Sequence, residues 1–273
     1  MASQWDAKNK TFIITGGASG LGGEYVQKFL KSGAKGIAIL DIAEEAGKVL
    51  AERLNKEYNN KVVYIKCDMS KEEEINQSFE TVLARFKQID VIINNAGIMS
   101  DAPGIWRTAC DVNWQGLVSL TLKGIKHMRK DEGGVGGTII NISSTAALIK
   151  FPFIPIYDGS KIAVLHFSQC LAMDPFYGKT NIRILTMCFG PTDTPLLHNL
   201  GARTYEPNLG KVMEEATKGA EYQRVQSAVT AFVTMFEKGA PGSIWLSVDN
   251  KPVKDITVHI DRVFKELEDL TAA

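Results

Sequence analysis

Seven short apolar runs, each followed by an amphipathic stretch, set the strongest limit on what this chain can fold into. They are residues 11–15 (TFIIT), 36–41 (GIAILD), 61–67 (KVVYIKC), 90–94 (DVIIN), 138–143 (TIINIS), 181–189 (NIRILTMCF) and 243–248 (SIWLSV). They are apolar nearly throughout, not alternating, which is the pattern of strands covered on both faces in a parallel sheet. Between them, stretches 21–31, 43–58 and 71–87 carry apolar residues at helical spacing, with Tyr25, Phe29 and Leu30 in the first. Ser70 ahead of Lys71 and Glu72 predicts an N-cap, with Glu73 closing a capping box. Strand-plus-helix units of roughly 25–35 residues suit βαβ crossovers. The expectation is an α/β fold: an open, doubly wound, seven-stranded and mainly parallel sheet with helices on both faces. No Pro/Ser-rich linker interrupts residues 1–273, so one domain is expected, with an insertion at about 191–226 before the last strand.

Composition removes several classes of function. Thirty-one basic side chains face 31 acidic ones, a formal charge of +0, which lacks the basic excess of a nucleic-acid protein. No stretch approaches the roughly 18–20 uncharged apolar residues of a membrane span. The opening MASQWDAKNK has an Asp and no apolar core, so it does not read as a secretory signal. Cys67, Cys110, Cys170 and Cys188 are widely spaced, form no CxxC pair, and predict a reducing, cytoplasmic setting. No His/Cys or carboxylate cluster has metal-ligand spacing, so no catalytic metal is expected.

The first run leads into Thr15 and the glycine-rich GGASGLG of residues 16–22. Glycines there let the backbone approach a pyrophosphate, and the following helix turns its positive N-terminus toward the phosphates. Asp41 ends the second run 19 residues after Gly22, where a carboxylate accepts hydrogen bonds from an adenosine ribose and repels a 2′-phosphate. Neither Ala18, Ser19 nor Ile42 supplies a cation to offset that charge, so the expected cofactor of this Rossmann-type fold is NAD and not NADP. The candidate cofactor residues are Gly16, Ser19, Gly20, Leu21, Gly22, Asp41 and Ile42, followed by Asp68 and Met69 after the third run and Asn95, Ala96 and Gly97 after the fourth. The asparagines at 94 and 95 suit loop bracing equally well.

Tyr157 and Lys161 stand four apart in a helical pattern and so share a face. A free tyrosine has a pKa of roughly 10; lowering it to about 7 takes about 4 kcal/mol. A lysine cation some 4 Å away in a partly buried cleft supplies about that much. The pair is therefore a candidate acid–base device. Ser144, 13 residues before Tyr157 at the end of the fifth run, is placed to hold a substrate oxygen; Ser143 is the alternative. Asn113 lies on an amphipathic stretch expected to pack beside that edge.

Together these motifs resemble the short-chain dehydrogenase/reductase family. TGGASGLG is similar to the family's TGxxxGxG loop, residues 94–97 read NNAG as the family does, and Asn113, Ser144, Tyr157 and Lys161 match its catalytic tetrad in order and spacing. GGVGGTIINISS and the surroundings of Tyr157 are similar to the branch of 15-hydroxyprostaglandin dehydrogenase and insect-type alcohol dehydrogenases. The resemblance implies that Tyr157 takes the carbinol proton, that Lys161 lowers its pKa and holds the nicotinamide ribose, that Ser144 positions the substrate oxygen and that Asn113 supports a water relay. It also implies a homodimer or homotetramer formed through helix faces. The family's PGxxxT here begins with Phe189 in place of Pro, leaving Thr192 and Thr194 as cofactor candidates. Prostaglandin dehydrogenases carry a glutamine three residues before the tyrosine; this chain has Ile154, which argues against a prostaglandin-tuned site.

The candidate substrate wall is apolar: Met99, Phe151, Phe153, Ile154, Ile156, Leu196 and Leu197, with Ser144, Ile154 and Tyr157 as the substrate contacts. His198 and Arg203 read as exposed charges in the insertion, and His127 and His166 as structural. The expected activity is NAD-dependent oxidation of an apolar or lipid-like secondary alcohol. The alternatives are carbonyl reduction with the same residues and a silent dinucleotide-binding or storage paralogue.

Overall fold

Strands β1 (Thr11–Thr15) and β6 (Ile182–Phe189) are buried at every position in the computed structural model, which describes residues 5–271. The first four residues of the opening segment lie outside that range. Between them run α1 (Gly20–Lys31), β2 (Gly36–Asp41), α2 (Glu44–Tyr58), β3 (Val62–Lys66), α3 (Glu72–Phe86), β4 (Val91–Asn94), α4 (Trp106–Cys110), α5 (Leu117–Met128), β5 (Gly137–Ser144), α6 (Pro155–Ala172) and α7 (Phe176–Thr180). After β6 come α8 (Gly210–Thr217), α9 (Val225–Lys238), β7 (Ile244–Ser247), β8 (Lys254–Asp255) and α10 (Thr257–Thr271).

The strand order is β3-β2-β1-β4-β5-β6-β7-β8. All pairs are parallel except β7 with β8. The order reverses between β1 and β4, the switch point where open α/β sheets bind ligands beyond their carboxyl ends. One face of the sheet buries Tyr25, Phe29, Leu54, Phe232 and Phe236 from α1, α2 and α9. The other buries Ile75, Phe79, Leu120, Ile125 and Met128 from α3 and α5. Burial on both faces is why these strands read as unbroken apolar runs.

Two details depart from the sequence reading. An eighth strand, β8, joins the edge among the described residues; its two exposed residues, Lys254 and Asp255, carry no apolar signal. The start of α3 also lies one residue later than the capping box requires. Lys71 is the N-cap and makes no side-chain bond, and Glu74, not Glu73, reaches back to accept from the backbone N–H of Asp68 at 2.8 Å. Ser70 instead donates its backbone N–H to Asp68 Oδ1 at 2.8 Å, because an Asx turn at Asp68 takes the place of the expected cap.

The insertion is tied at its base by a bridge between Thr192 and Gln223. Short 3₁₀ turns and α8 fill it.

Candidate active site

The glycine loop leaves β1 at the switch point. Gly16 has φ +61° and Gly20 φ +52°, in the left-handed region that side chains disfavour. A Cβ at Gly22 would lie 2.1 Å from the Gly16 carbonyl oxygen, so only glycine lets α1 start this close to the strand. At Gly20 nothing lies within 4 Å of that position, and Ser19, the exposed N-cap of α1, makes no side-chain cap bond. Leu21 follows, half-buried. An uncapped helix start beneath an open glycine is a cradle that fits a pyrophosphate.

Asp41 binds this loop directly: its Oδ2 accepts from the backbone N–H of Ala18 and its Oδ1 from that of Ala43, both at 2.9 Å. Ile42 beside it is 63% exposed, an open apolar surface at the expected adenosine edge. Asp68 is half-buried and Met69 buried. The Asn95 amide donates to the carbonyls of Thr15 (3.0 Å) and Gly16 (3.2 Å), and the Ala96 N–H donates to Thr15 Oγ1. The bracing alternative for asparagine thus describes the Asn95 side chain. Asn94 is wholly internal, donating to Thr121 Oγ1 and Asn141 Oδ1.

Asn113 lies in a π-helical turn, Asp111–Gly116, between α4 and α5. Its side chain pairs with Ile98 as a backbone strand would: Oδ1 accepts from the N–H and Nδ2 donates to the C=O, both at 2.8 Å. Nδ2 also donates to Ser160 Oγ at 3.2 Å. Asn113 thereby ties the loop after β4 to α6. Gly97, in that loop, brings the space of its missing Cβ to 3.6 Å from Lys161 Nζ and 3.3 Å from Asn113 Oδ1. The residues expected to hold cofactor and those expected to act on substrate therefore adjoin.

Tyr157, Ser144 and Lys161 meet at the ends of β5 and α6. The Ser144 hydroxyl lies near enough to the Tyr157 phenol to favour its ionised form. Ser144 Oγ also accepts from the Ala146 N–H at 3.1 Å and approaches the Phe189 carbonyl at 3.3 Å. Ser143 is not the alternative, since its hydroxyl donates to the Lys161 carbonyl at 2.8 Å inside the core. Lys161 Nζ donates to the Ile142 carbonyl at 3.0 Å and stands 5.7 Å from the Tyr157 ring centre.

The electrostatics correct the sequence expectation. Burial pushes the Tyr157 phenol up to about 12, with the Ser144 hydrogen bond opposing the rise and Asp158 adding to it. Burial also draws Lys161 down to about 8, opposed by Cys188. Moving a phenol from about 12 to near 7 takes about 7 kcal/mol. The Lys161 ammonium, 5.7 Å from the ring centre, offers about 3 kcal/mol at an effective dielectric near 20. With the chain's own groups alone, burial wins and Tyr157 keeps its proton at neutral pH.

An apolar cluster surrounds the phenol. Met99, Ile154, Tyr157 and Met213 are buried together, with Ala146, Phe151, Phe153, Leu197 and Leu200 packed against them. Ile156 and Leu196 stand outside it; Met213, on α8, and Leu200 join it from the insertion without a local sequence signal. Arg203 is not an exposed charge: its guanidinium donates to the carbonyls of His198 (2.7 Å) and Met99 (2.9 Å). His127 accepts from the Ile89 N–H at 3.3 Å, and His166 packs on Phe264, both as structural residues.

The strand β6 continues through Phe189, in register with Ser144 and Ser247, where proline is the family's residue. Thr192 is turned inward: its hydroxyl donates to the Gly190 carbonyl (2.9 Å) and accepts from Gln223 Nε2 (2.7 Å). That side chain is committed to the loop and not free for a cofactor. The Thr194 hydroxyl donates to the Thr192 carbonyl at 3.2 Å. Gln223, 1% exposed, clasps the loop from 33 residues away, too far along the chain for spacing to reveal.

The family profile described as short chain dehydrogenase matches residues 10–204. The chain belongs to the short chain dehydrogenase family. It is thus an oxidoreductase of the dehydrogenase type. The chain is 31% identical over 206 residues to 15-hydroxyprostaglandin dehydrogenase (NAD(+)) of Mus musculus, covering 75% of this chain and 74% of the relative. It is 31% identical over 239 residues to alcohol dehydrogenase 1 of Ceratitis cosyra, covering 87% and 91%. A short chain dehydrogenase/reductase from Burkholderia phymatum, solved in complex with NAD, superposes with TM-score 0.72 at 19% identity over 85% of this chain and 87% of that one. The 3-ketoacyl-(acyl-carrier-protein) reductase of Brucella melitensis, complexed with NADH, superposes with TM-score 0.72 at 24% identity over 90% and 98%. Both superpositions speak for the short chain dehydrogenase fold. Among the described residues no helix is long and apolar enough to cross a membrane.

Proposed function

We propose that this short chain dehydrogenase oxidises an apolar secondary alcohol to its ketone with NAD. The observation that carries the reading is the Tyr157 phenol set in the cluster of Met99, Ile154 and Met213, with Lys161 Nζ 5.7 Å from its ring centre and the Ser144 hydroxyl beside it. Ser144 holds the alcohol oxygen and Tyr157 takes its proton. Lys161, next to Gly97, holds the dinucleotide side of the site and adds positive charge that favours the phenolate. Bound NAD supplies the hydride acceptor and a further positive charge. Asp41, anchored on the glycine loop, supports NAD over NADP because a 2′-phosphate would meet a carboxylate. The NAD(+) in the name of the Mus musculus relative supports the same choice.

Ile154 makes the wall apolar where a glutamine would offer hydrogen bonds, so straight-chain, cyclic or lipid-like alcohols fit better than prostaglandins, sugars or acids. The test is a screen of secondary alcohols with NAD, beside titrations of NADH and NADPH. Turnover of apolar alcohols with NADH bound at least 10-fold more tightly is the expected result. NADH binding without turnover across the whole screen would instead support the silent paralogue.

Carbonyl reduction is a second reading, with the same residues run in reverse: a protonated Tyr157 gives its proton to the carbonyl oxygen beside Ser144. The rates in the two directions as a function of pH separate the readings. Four free thiols support a cytoplasmic setting. Exposed Leu122 and Ile162, on α5 and α6, support a homodimer or homotetramer.

A further inference from the structure

We infer that Asp101 is a positioning residue for Tyr157, holding the start of α6 and linking it to the substrate-side insertion. Helix α6 opens with Pro155, which has no N–H to satisfy, and its N-cap Ile154 has no side-chain cap bond. The next two donors both go to one distant carboxylate. The Ile156 N–H donates to Asp101 Oδ2 at 2.6 Å and the Tyr157 N–H to Asp101 Oδ1 at 2.9 Å. The Asp158 N–H then donates to the Ile154 carbonyl at 3.1 Å. Asp101 therefore completes the first turn, its charge at the positive end of the helix, and one of its two bonds is to the backbone of the tyrosine itself.

The carboxylate is 1% exposed and sits just after the loop that carries Gly97. Its own backbone N–H donates to the Arg203 carbonyl at 2.8 Å, while the Arg203 guanidinium donates back to Met99 at 2.9 Å. The insertion, the loop after β4 and the first turn of α6 thus form one hydrogen-bonded unit. A shift of about 1 Å in a reacting group can cost on the order of 100-fold in rate, so the cap sets where the phenol stands.

The inference rests on Tyr157 as the proton carrier, and its experiment separates the two ideas. Asp101→Ala and Asp101→Asn are compared with the wild type by kcat per NADH-binding site, by KM for the best alcohol, and by hydrogen exchange of residues 156–157. Asp101→Ala is expected to lower kcat about 10-fold or more with NADH affinity retained, and to speed exchange in that turn. Asp101→Asn keeps one acceptor oxygen, and both its kcat and its exchange are expected to fall between the other two. Wild-type kcat in Asp101→Ala, or unchanged exchange in it, overturns the inference. If Asp101→Ala does not fold, Asp101→Asn decides: wild-type kcat with wild-type exchange in that variant overturns it equally. The exchange readout needs no substrate, so a wild type without turnover counts against the alcohol reading and leaves the cap to be judged on exchange.

Discussion

Lys161 Nζ donates to the Ile142 carbonyl oxygen at 3.0 Å and so stands inside the wall of the site, its amine 5.7 Å from the Tyr157 ring centre. A single carbonyl does not replace the hydration of an ammonium, and burial holds Lys161 at about 8. Below pH 8 the folded and unfolded chains both carry the charge, and the folded one bears a penalty of about 3 kcal/mol. From about 8 to 10.5 only the unfolded chain keeps the proton, so this penalty fades and stability rises with pH. Lys161→Met is therefore expected to exceed the wild type in stability by more at pH 7 than at pH 10. Urea midpoints at both pH values check this; a pH-independent difference would show that the buried ammonium costs nothing.

Tyr157→Phe removes the hydroxyl beside Ser144 and keeps the ring in its apolar cluster. The expected loss in kcat is about 10²- to 10⁴-fold, the usual worth of a proton-transfer group. NADH affinity should change less than about twofold, because truncating the phenol leaves the glycine loop intact. Substantial turnover in this variant would mean that another group carries the proton.

Asp41→Asn keeps one acceptor oxygen, enough for the Ala18 amide or the Ala43 amide, while removing the charge. Like charges in contact cost several kcal/mol, so NADPH affinity should rise about 10-fold or more while the NADH constant moves little. Fluorescence titration with both nucleotides reads this directly. No gain for NADPH would remove Asp41 from the role of selector.

Gly22→Ala places a methyl group 2.1 Å from the Gly16 carbonyl oxygen, a backbone atom that cannot turn aside. Overpacking of this kind costs about 1–3 kcal/mol, and the displaced loop should weaken NADH binding in parallel. Calorimetry and NADH titration on one sample test both halves.

Ile154→Gln buries an amide where its neighbours Met99, Met213 and Tyr157 offer little to bond it. An unsatisfied buried amide costs about 1–3 kcal/mol. KM for apolar alcohols is expected to rise by about 10-fold, with a relative gain for substrates that carry a second hydroxyl. A proportional loss on all substrates would place Ile154 in the scaffold and not in the pocket wall.

The alternation of apolar runs and amphipathic stretches was enough to read seven of the eight strands, because both-face burial is written into each strand's own residues. The glycine loop and Asp41 were legible for a similar reason: backbone conformation and spacing are local demands. One helical turn and one strand end place Tyr157, Lys161 and Ser144 near one another, which is also a local demand. The partners of these groups were another matter. Asp101 reaches Tyr157 across 56 residues, Gln223 reaches Thr192 across 31, and Met213 enters the pocket from the insertion. Such pairs have no period and no fixed spacing, so nothing in the local pattern marks them. The protonation of Tyr157 was decided in the same way: spacing put the lysine on the right helix face, but the depth at which the folded chain buried both groups let desolvation outweigh the charge.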